Sequence, residues 1–168
     1  MFKKVLPHQP HHEDLVLVGD VGTGKTHMLE AICSLCRQQM RPARFFTASS
    51  PVMRLRRARD AGSLDRELAQ LAKADILGID ELGFLPLDAD GARLLFQVIS
   101  ESCERRSLVI TADLEFARWG AVFGDDQMAA AVIDRVCHHG RLLKFSGESW
   151  RMRHALISGD STPEGQLA

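Results

Sequence analysis

An excess of charge of either sign is missing from this 168-residue chain, in which 21 Lys and Arg stand against 22 Asp and Glu for a formal net charge of −1. That balance gives no global electrostatic signature for nucleic acid, so any contact with a phosphate backbone has to be local. Long apolar runs are missing too. No stretch is long enough to span a bilayer, and the start, Met1-Phe2-Lys3-Lys4-Val5-Leu6-Pro7, lacks the apolar segment of a secretory signal. A cytoplasmic location with no membrane partner is the expectation. Cysteine is sparse: Cys33, Cys36, Cys103 and Cys137 fall in helix-like segments of a chain too large to need disulfide staples. A composition of 45% hydrophobic and 26% charged residues fits one globular domain with a sizeable core. No internal repeat and no second domain is visible.

What is present begins with Gly19-Asp20-Val21-Gly22-Thr23-Gly24-Lys25-Thr26, which fits Gly-x-x-x-x-Gly-Lys-Ser/Thr at every fixed position. Leu15 to Val18 is an apolar, β-branched run suited to a buried parallel strand, and helical composition follows Lys25. In that setting the glycines let backbone N–H groups turn inward as an anion nest at a helix N-terminus. Lys25 is then expected to reach the β- and γ-phosphates, with the Thr26 hydroxyl on Mg²⁺.

The rest alternates strand and helix. Helix is expected over 25–40, ending before Arg41-Pro42, and strand over 44–47. A basic helix follows over 52–59, then a helix over 64–73 capped by Ser63. Strand 76–80, a helix from an Asp88 cap to about 105, and strand 108–111 come next. A helix opened by Asp125 or Asp126 runs to about 137, and strand 142–145 closes the series. Such alternation argues for an α/β fold, a parallel five-stranded sheet between helical layers with its phosphate site at the carboxyl ends of the strands. Residues 1–14 read as a short N-terminal stub, 15–157 as the nucleotide-binding domain and 158–168 as a polar, disordered tail.

Asp80-Glu81 ends the third strand, beside the phosphate loop. Asp80 there can hold Mg²⁺ through its water shell, and Glu81 can position and deprotonate an attacking water. The Glu weighs against a small-molecule kinase, which activates a substrate hydroxyl instead.

Further segments make a family resemblance plain: Gly22 to His27, Arg44 to Ala48, Leu71 to Asp75, Ile79 to Leu87, Leu94 to Ser100, Glu104 to Ser107, Trp119 to Asp125, Asp134 to His139 and Gly147 to Arg151. From about Asp14 to Arg153 the chain resembles the IstB-like ATP-binding proteins of insertion sequences, AAA+ transposition helpers similar to DnaC-type helicase loaders. The resemblance implies a P-loop AAA+ sandwich that binds ATP and Mg²⁺ through residues 19–27 and 113, including Gly19, Asp20, Val21, Gly22, Thr23, Gly24 and His27. It implies hydrolysis of ATP, assembly of several copies on DNA and engagement of a transposase. Arg135 looks like an arginine finger offered to a neighbouring subunit's nucleotide, against the plainer reading of a partner for Asp134 on a solvated helix. Arg151 or Arg153 would serve as a second phosphate sensor.

The chain departs from the family in two places. At the end of the fourth strand, where the family has Asn as polar sensor, it reads Thr111-Ala112-Asp113. A like charge about 4 Å from the γ-phosphate costs roughly 4 kcal/mol at an effective dielectric near 20, so Asp113 is expected to be protonated, turned away or harmful to hydrolysis. The family's helical N-terminal region is also represented only by Met1 to Asp14, as in a shortened copy. Two alternatives follow: a helicase loader, told apart by its partner, and a nucleotide-binding interaction module with little turnover.

Other candidates read more plainly. Cys33 and Cys36 have zinc-type spacing, with Cys137, His138 and His139 as further donors, but the first pair sits on an apolar helical face and reads as core. His8, His11 and His12 read as solvated loop. Arg54, Arg56, Arg57 and Arg59 form a local basic patch that could follow a phosphate backbone or be a solvated face, and no aromatic interleaves with them for base stacking.

Overall fold

Alternation of apolar side chains on the strands divides the core into two. On β1 (Asp14–Gly19), Leu15 and Leu17 point to one side of the sheet and Val16 to the other. Leu15 and Leu17 meet Leu29, Ile32, Cys33 and Cys36 of α1 (Lys25–Gln38), so both cysteines are core, as expected, and neither is bonded to the other. The opposite face carries α2 (Ser49–Asp60), α3 (Leu64–Leu71), α4 (Ala89–Ser102), α5 (Trp119–Phe123) and α6 (Asp126–His138). The computed structural model describes residues 12–84, 86–103, 105–138 and 140–153. His8, His11, His139, most of the 1–14 segment and the 158–168 tail lie outside them.

The remaining strands are β2 (Ala43–Thr47), β3 (Ile76–Leu82), β4 (Ser107–Ala112) and β5 (Gly140–Phe145), all parallel, in the order β2-β3-β4-β1-β5. This is the expected three-layer arrangement. Gly78 lets α1 sit low on the sheet, since a Cβ there would stand 2.7 Å from Leu29 Cδ1.

Local chemistry sets the element ends. The Asp88 carboxylate accepts from Gly91 N–H at 2.9 Å, capping α4 as expected. Asp125, of the two expected candidates, caps α6 by accepting from Gln127 and Met128 N–H. Ser63 precedes α3 but does not cap it with its side chain; its hydroxyl donates to the Ala58 carbonyl instead. The basic helix begins three residues before the expected Val52, because Pro51 falls in a first turn whose N–H groups lack partners anyway. α1 ends at Gln38 rather than 40, and Met40 takes a left-handed φ of 59° so that Arg41 N–H can return to the Cys36 carbonyl at 3.1 Å. Three short elements were not expected: a 3₁₀ helix (Phe116–Arg118), α5 and α7 (Trp150–Arg153). Trp119 of α5 is fully buried, edge-on to Phe116, with its indole N–H on the Leu114 carbonyl.

Candidate functional site

At the carboxyl end of β1 the chain turns through Gly19 to Gly24 into α1. Gly19, Gly22 and Gly24 have φ of 149°, 79° and 98°, which L side chains rarely adopt, and Thr23 closes the loop by donating to the Asp20 carbonyl at 2.7 Å. Lys25 is buried. Its ammonium donates to the carbonyls of Gly19 at 2.8 Å and Asp20 at 2.6 Å.

Sheet order brings the acidic residues alongside, because β4 lies next to β1 and β3 next to β4. The buried Asp80 carboxylate accepts from the Thr26 hydroxyl at 3.1 Å and from the Thr111 hydroxyl. Between Ile79 and Leu82 the pairing with β4 slips, Asp80 and Glu81 together facing Thr111 alone. Glu81 sits in that bulge with φ of 58°, a left-handed conformation uncommon for a non-glycine residue and typical of functional sites. Its N–H donates to Thr111 Oγ1 at 2.9 Å. The bulge turns the Glu81 side chain out of the sheet while Asp80 stays in it, so adjacent carboxylates face different surroundings. Thr111, given no role of its own in the sequence, is the hinge of this arrangement. Its place in the Thr-Ala-Asp triplet was the available signal.

Asp113 was expected to be protonated, turned away from the site or harmful to turnover. It is not turned away: its carboxylate lies 2.7 Å from the Lys25 ammonium, an ion pair inside the phosphate loop.

Phosphate loop, Thr26, His27, Glu81, Thr111 and Asp113 line one cleft of about 740 Å³, which Trp150 and Arg151 of α7 also border. Of the two arginines considered as a further sensor, Arg151 faces this cleft and Arg153 is paired with Glu148 at 2.6 Å. Arg135 stands elsewhere. It lies one turn before the end of α6, whose following strand starts with Gly140 paired to Asp14, the first residue of β1. The ends of β1 are about 17 Å apart at the usual strand rise, so Arg135 is remote from its own phosphate loop. Its guanidinium donates to the Ala131 carbonyl at 2.9 Å and lies 5.0 Å from the Phe96 ring centre, rather than resting on Asp134.

The basic patch on α2 is mostly spoken for. Arg54 pairs with Glu67, Arg56 with Asp88 and Asp90, and Arg59 with Asp90 and Asp60. The Gly91 N–H and then Arg56 hold the Asp88 carboxyl below its ordinary range, and Arg59 does the same for Asp90. Of the four arginines, Arg57 alone makes no ion pair among the described residues. Among those residues no group of His, Cys, Asp and Glu could hold a metal ion without a ligand's help, and no helix is long and apolar enough to cross a membrane.

Comparison with known proteins finds relatives of the chain as a whole. The sequence pattern of the family described as IstB-like ATP binding protein matches residues 5–158. The chain is 37% identical over 141 residues to an ATP-binding protein named for insertion sequence IS5376 of Geobacillus stearothermophilus, covering 84% of this chain and 56% of that one. It is 33% identical over 147 residues to one named for IS21 of Pseudomonas aeruginosa, covering 88% and 56%. It thus spans little more than half the length of these relatives. In fold it is similar to the DnaC helicase loader, with a TM-score of 0.71 at 20% identity covering 86% of this chain and 85% of that one. AMPPCP-bound DnaA from Aquifex aeolicus gives a TM-score of 0.72 at 18% identity, covering 87% and 44%.

Proposed function

The chain belongs to the IstB-like ATP-binding proteins of insertion sequences, and from that premise we propose that it is a Mg²⁺-dependent ATPase module that assists DNA transposition by assembling on DNA and engaging a transposase. The observation that carries the reading is the convergence on one cleft of Lys25 and Thr26 from α1 with Glu81 from β3, the buried Asp80 carboxylate lying behind the Thr26 hydroxyl. Lys25 and the loop N–H groups hold the β- and γ-phosphates. The Thr26 hydroxyl and Asp80 carboxylate, 3.1 Å apart, are hard oxygen donors that fit Mg²⁺. Bound there, Mg²⁺ supplies neutralisation of the phosphate charge. Glu81, exposed on the cleft wall, orients the attacking water and accepts its proton. Thr111 positions both acids, one through its hydroxyl hydrogen and the other through its oxygen.

Transposase and DNA enter as partners because the relatives are named for insertion sequences, mobile DNA elements. With α2 largely neutralised, Arg57 is the cation of that patch left to meet a phosphate backbone. A second reading, a module that holds ATP with little turnover, is favoured by the Asp113 carboxylate on Lys25. Phosphate release from ATP, measured with and without Mg²⁺ and duplex DNA, separates the two. Turnover that needs Mg²⁺ and disappears in Lys25→Ala supports the first. ATP binding without release supports the second, and absence of ATP binding overturns both. Co-purification with a transposase of an insertion sequence tests the partner.

A further inference from the structure

We propose that Asp113 makes the site favour a nucleoside diphosphate over the triphosphate, an inference that rests on the ATP-binding reading above. Its position follows from strand register. Ala112, the last residue of β4, pairs with Val18 of β1, so Asp113 follows β4 at the level where Gly19 opens the phosphate loop. β3 lies beyond β4 and brings Asp80 and Glu81 to the same side of that loop. Three carboxylates therefore stand on one side of the loop, and β5 is the strand on the other. With 36% of its side chain exposed on the cleft wall, Asp113 is met by a ligand rather than packed away in the core.

The two outer phosphates of a nucleotide meet this residue differently. The Lys25 ammonium has three N–H donors, and they go to the carbonyls of Gly19 and Asp20 and to the Asp113 carboxylate. A β-phosphate lies in the nest of loop N–H groups. It takes the place of a neutral carbonyl on Lys25, and the ion pair with Asp113 stays closed. A γ-phosphate has to lie toward Glu81, the residue read as the base, and so arrives on the side of Lys25 that Asp113 occupies. Its charge either displaces the carboxylate from Lys25 or sits against it uncompensated. Both outcomes weaken the triphosphate and neither touches the diphosphate. The product of hydrolysis is then held more firmly than the substrate, and the module rests with ADP bound.

The test is calorimetric titration of the full chain, in Mg²⁺, with ADP and with AMPPCP, a triphosphate whose β,γ bridge resists hydrolysis. The wild type should hold ADP about fivefold more tightly or better, the worth of one charge-assisted bond over a neutral one. Asp113→Asn and Asp113→Ala should each raise AMPPCP affinity about fivefold and leave ADP within about twofold, bringing the two ligands near parity. Equal gains for both ligands would make Asp113 a general competitor for Lys25 and overturn the proposal, as would an unchanged ratio in both variants. Weaker AMPPCP binding in either variant, the sign that the carboxylate helps to hold Mg²⁺, would overturn it too. If the wild type holds AMPPCP as tightly as ADP, the proposal fails by itself. If it binds neither, the ATP-binding reading fails with it.

Discussion

Lys25 and Asp113 form an ion pair of 2.7 Å at the heart of the phosphate loop. Together with the carbonyls of Gly19 and Asp20 this gives the ammonium three acceptors for its three N–H donors. A phosphate reaching Lys25 has to displace one of them, and Asp113 is the charged competitor. Replacing it with Asn exchanges a charge-assisted bond for a neutral one, a difference of about 1 kcal/mol. Asp113→Asn should accordingly bind ATP about fivefold more tightly by calorimetry and hydrolyse it faster, because the carboxylate no longer opposes charge building at the γ-phosphate. Unchanged or weaker binding would show that the pair opens at no cost to the nucleotide.

Glu81 offers a separate test, because its backbone is set by the bulge and its N–H by Thr111, leaving the side chain to chemistry. Glu81→Gln keeps the size and the backbone contacts and removes the base. ATP affinity should stay within about twofold while phosphate release falls by roughly 10²-fold or more, the usual contribution of a positioned base. Parallel loss of binding would assign Glu81 to the architecture of the cleft.

The phosphate loop and the five strands were legible because each rests on a local pattern: glycine spacing for the loop, and short runs of aliphatic or aromatic residues four or five long for the strands. Glu81 was legible as a residue but not as a bulge, since its left-handed φ is imposed by the offset between β3 and β4. The Lys25–Asp113 contact joins residues 88 positions apart, so the sequence showed only an unexpected carboxylate. α5, at five residues, is too short to display a helical period, and its Trp119 is fixed by tertiary burial. Nor could the sequence tell which carboxylates answer the arginines of α2, because they come from α3 and α4 as well as α2 itself.

Asp14 predicts a pH dependence of stability. Its carboxylate is buried at the start of β1 and accepts from Leu108 N–H at 2.8 Å. Burial raises its pKa to about 6 from 3.8, the Leu108 hydrogen bond offsetting part of the rise. The native state then binds the proton more tightly than the unfolded one, so this group's contribution is most favourable at low pH and is lost as pH climbs from about 4 to about 6. Asp14→Asn removes the charge and keeps an acceptor for Leu108. Relative to wild type, its unfolding free energy in urea should improve by up to about 3 kcal/mol between pH 4 and pH 7.5. A difference between the two proteins that does not change with pH would mean that Asp14 is solvated in the folded state.

Arg135 predicts a site completed between subunits. Lying near the far end of β1 from its own phosphate loop, it can meet a bound phosphate only on another chain. Its present contacts, one carbonyl and the face of Phe96, leave most of the guanidinium's five donors for such a partner. Lys25→Ala loses its own phosphate grip but keeps the finger, and Arg135→Ala does the reverse. Each alone should release phosphate at a small fraction of the wild-type rate, on DNA at a concentration where the wild type assembles. An equimolar mixture builds some interfaces that join an intact loop to an intact finger, so it should recover activity that neither component has. Full activity of Arg135→Ala alone would reduce this arginine to a surface contact on α6. No recovery in mixtures shown to co-assemble would mean that each chain completes its own site.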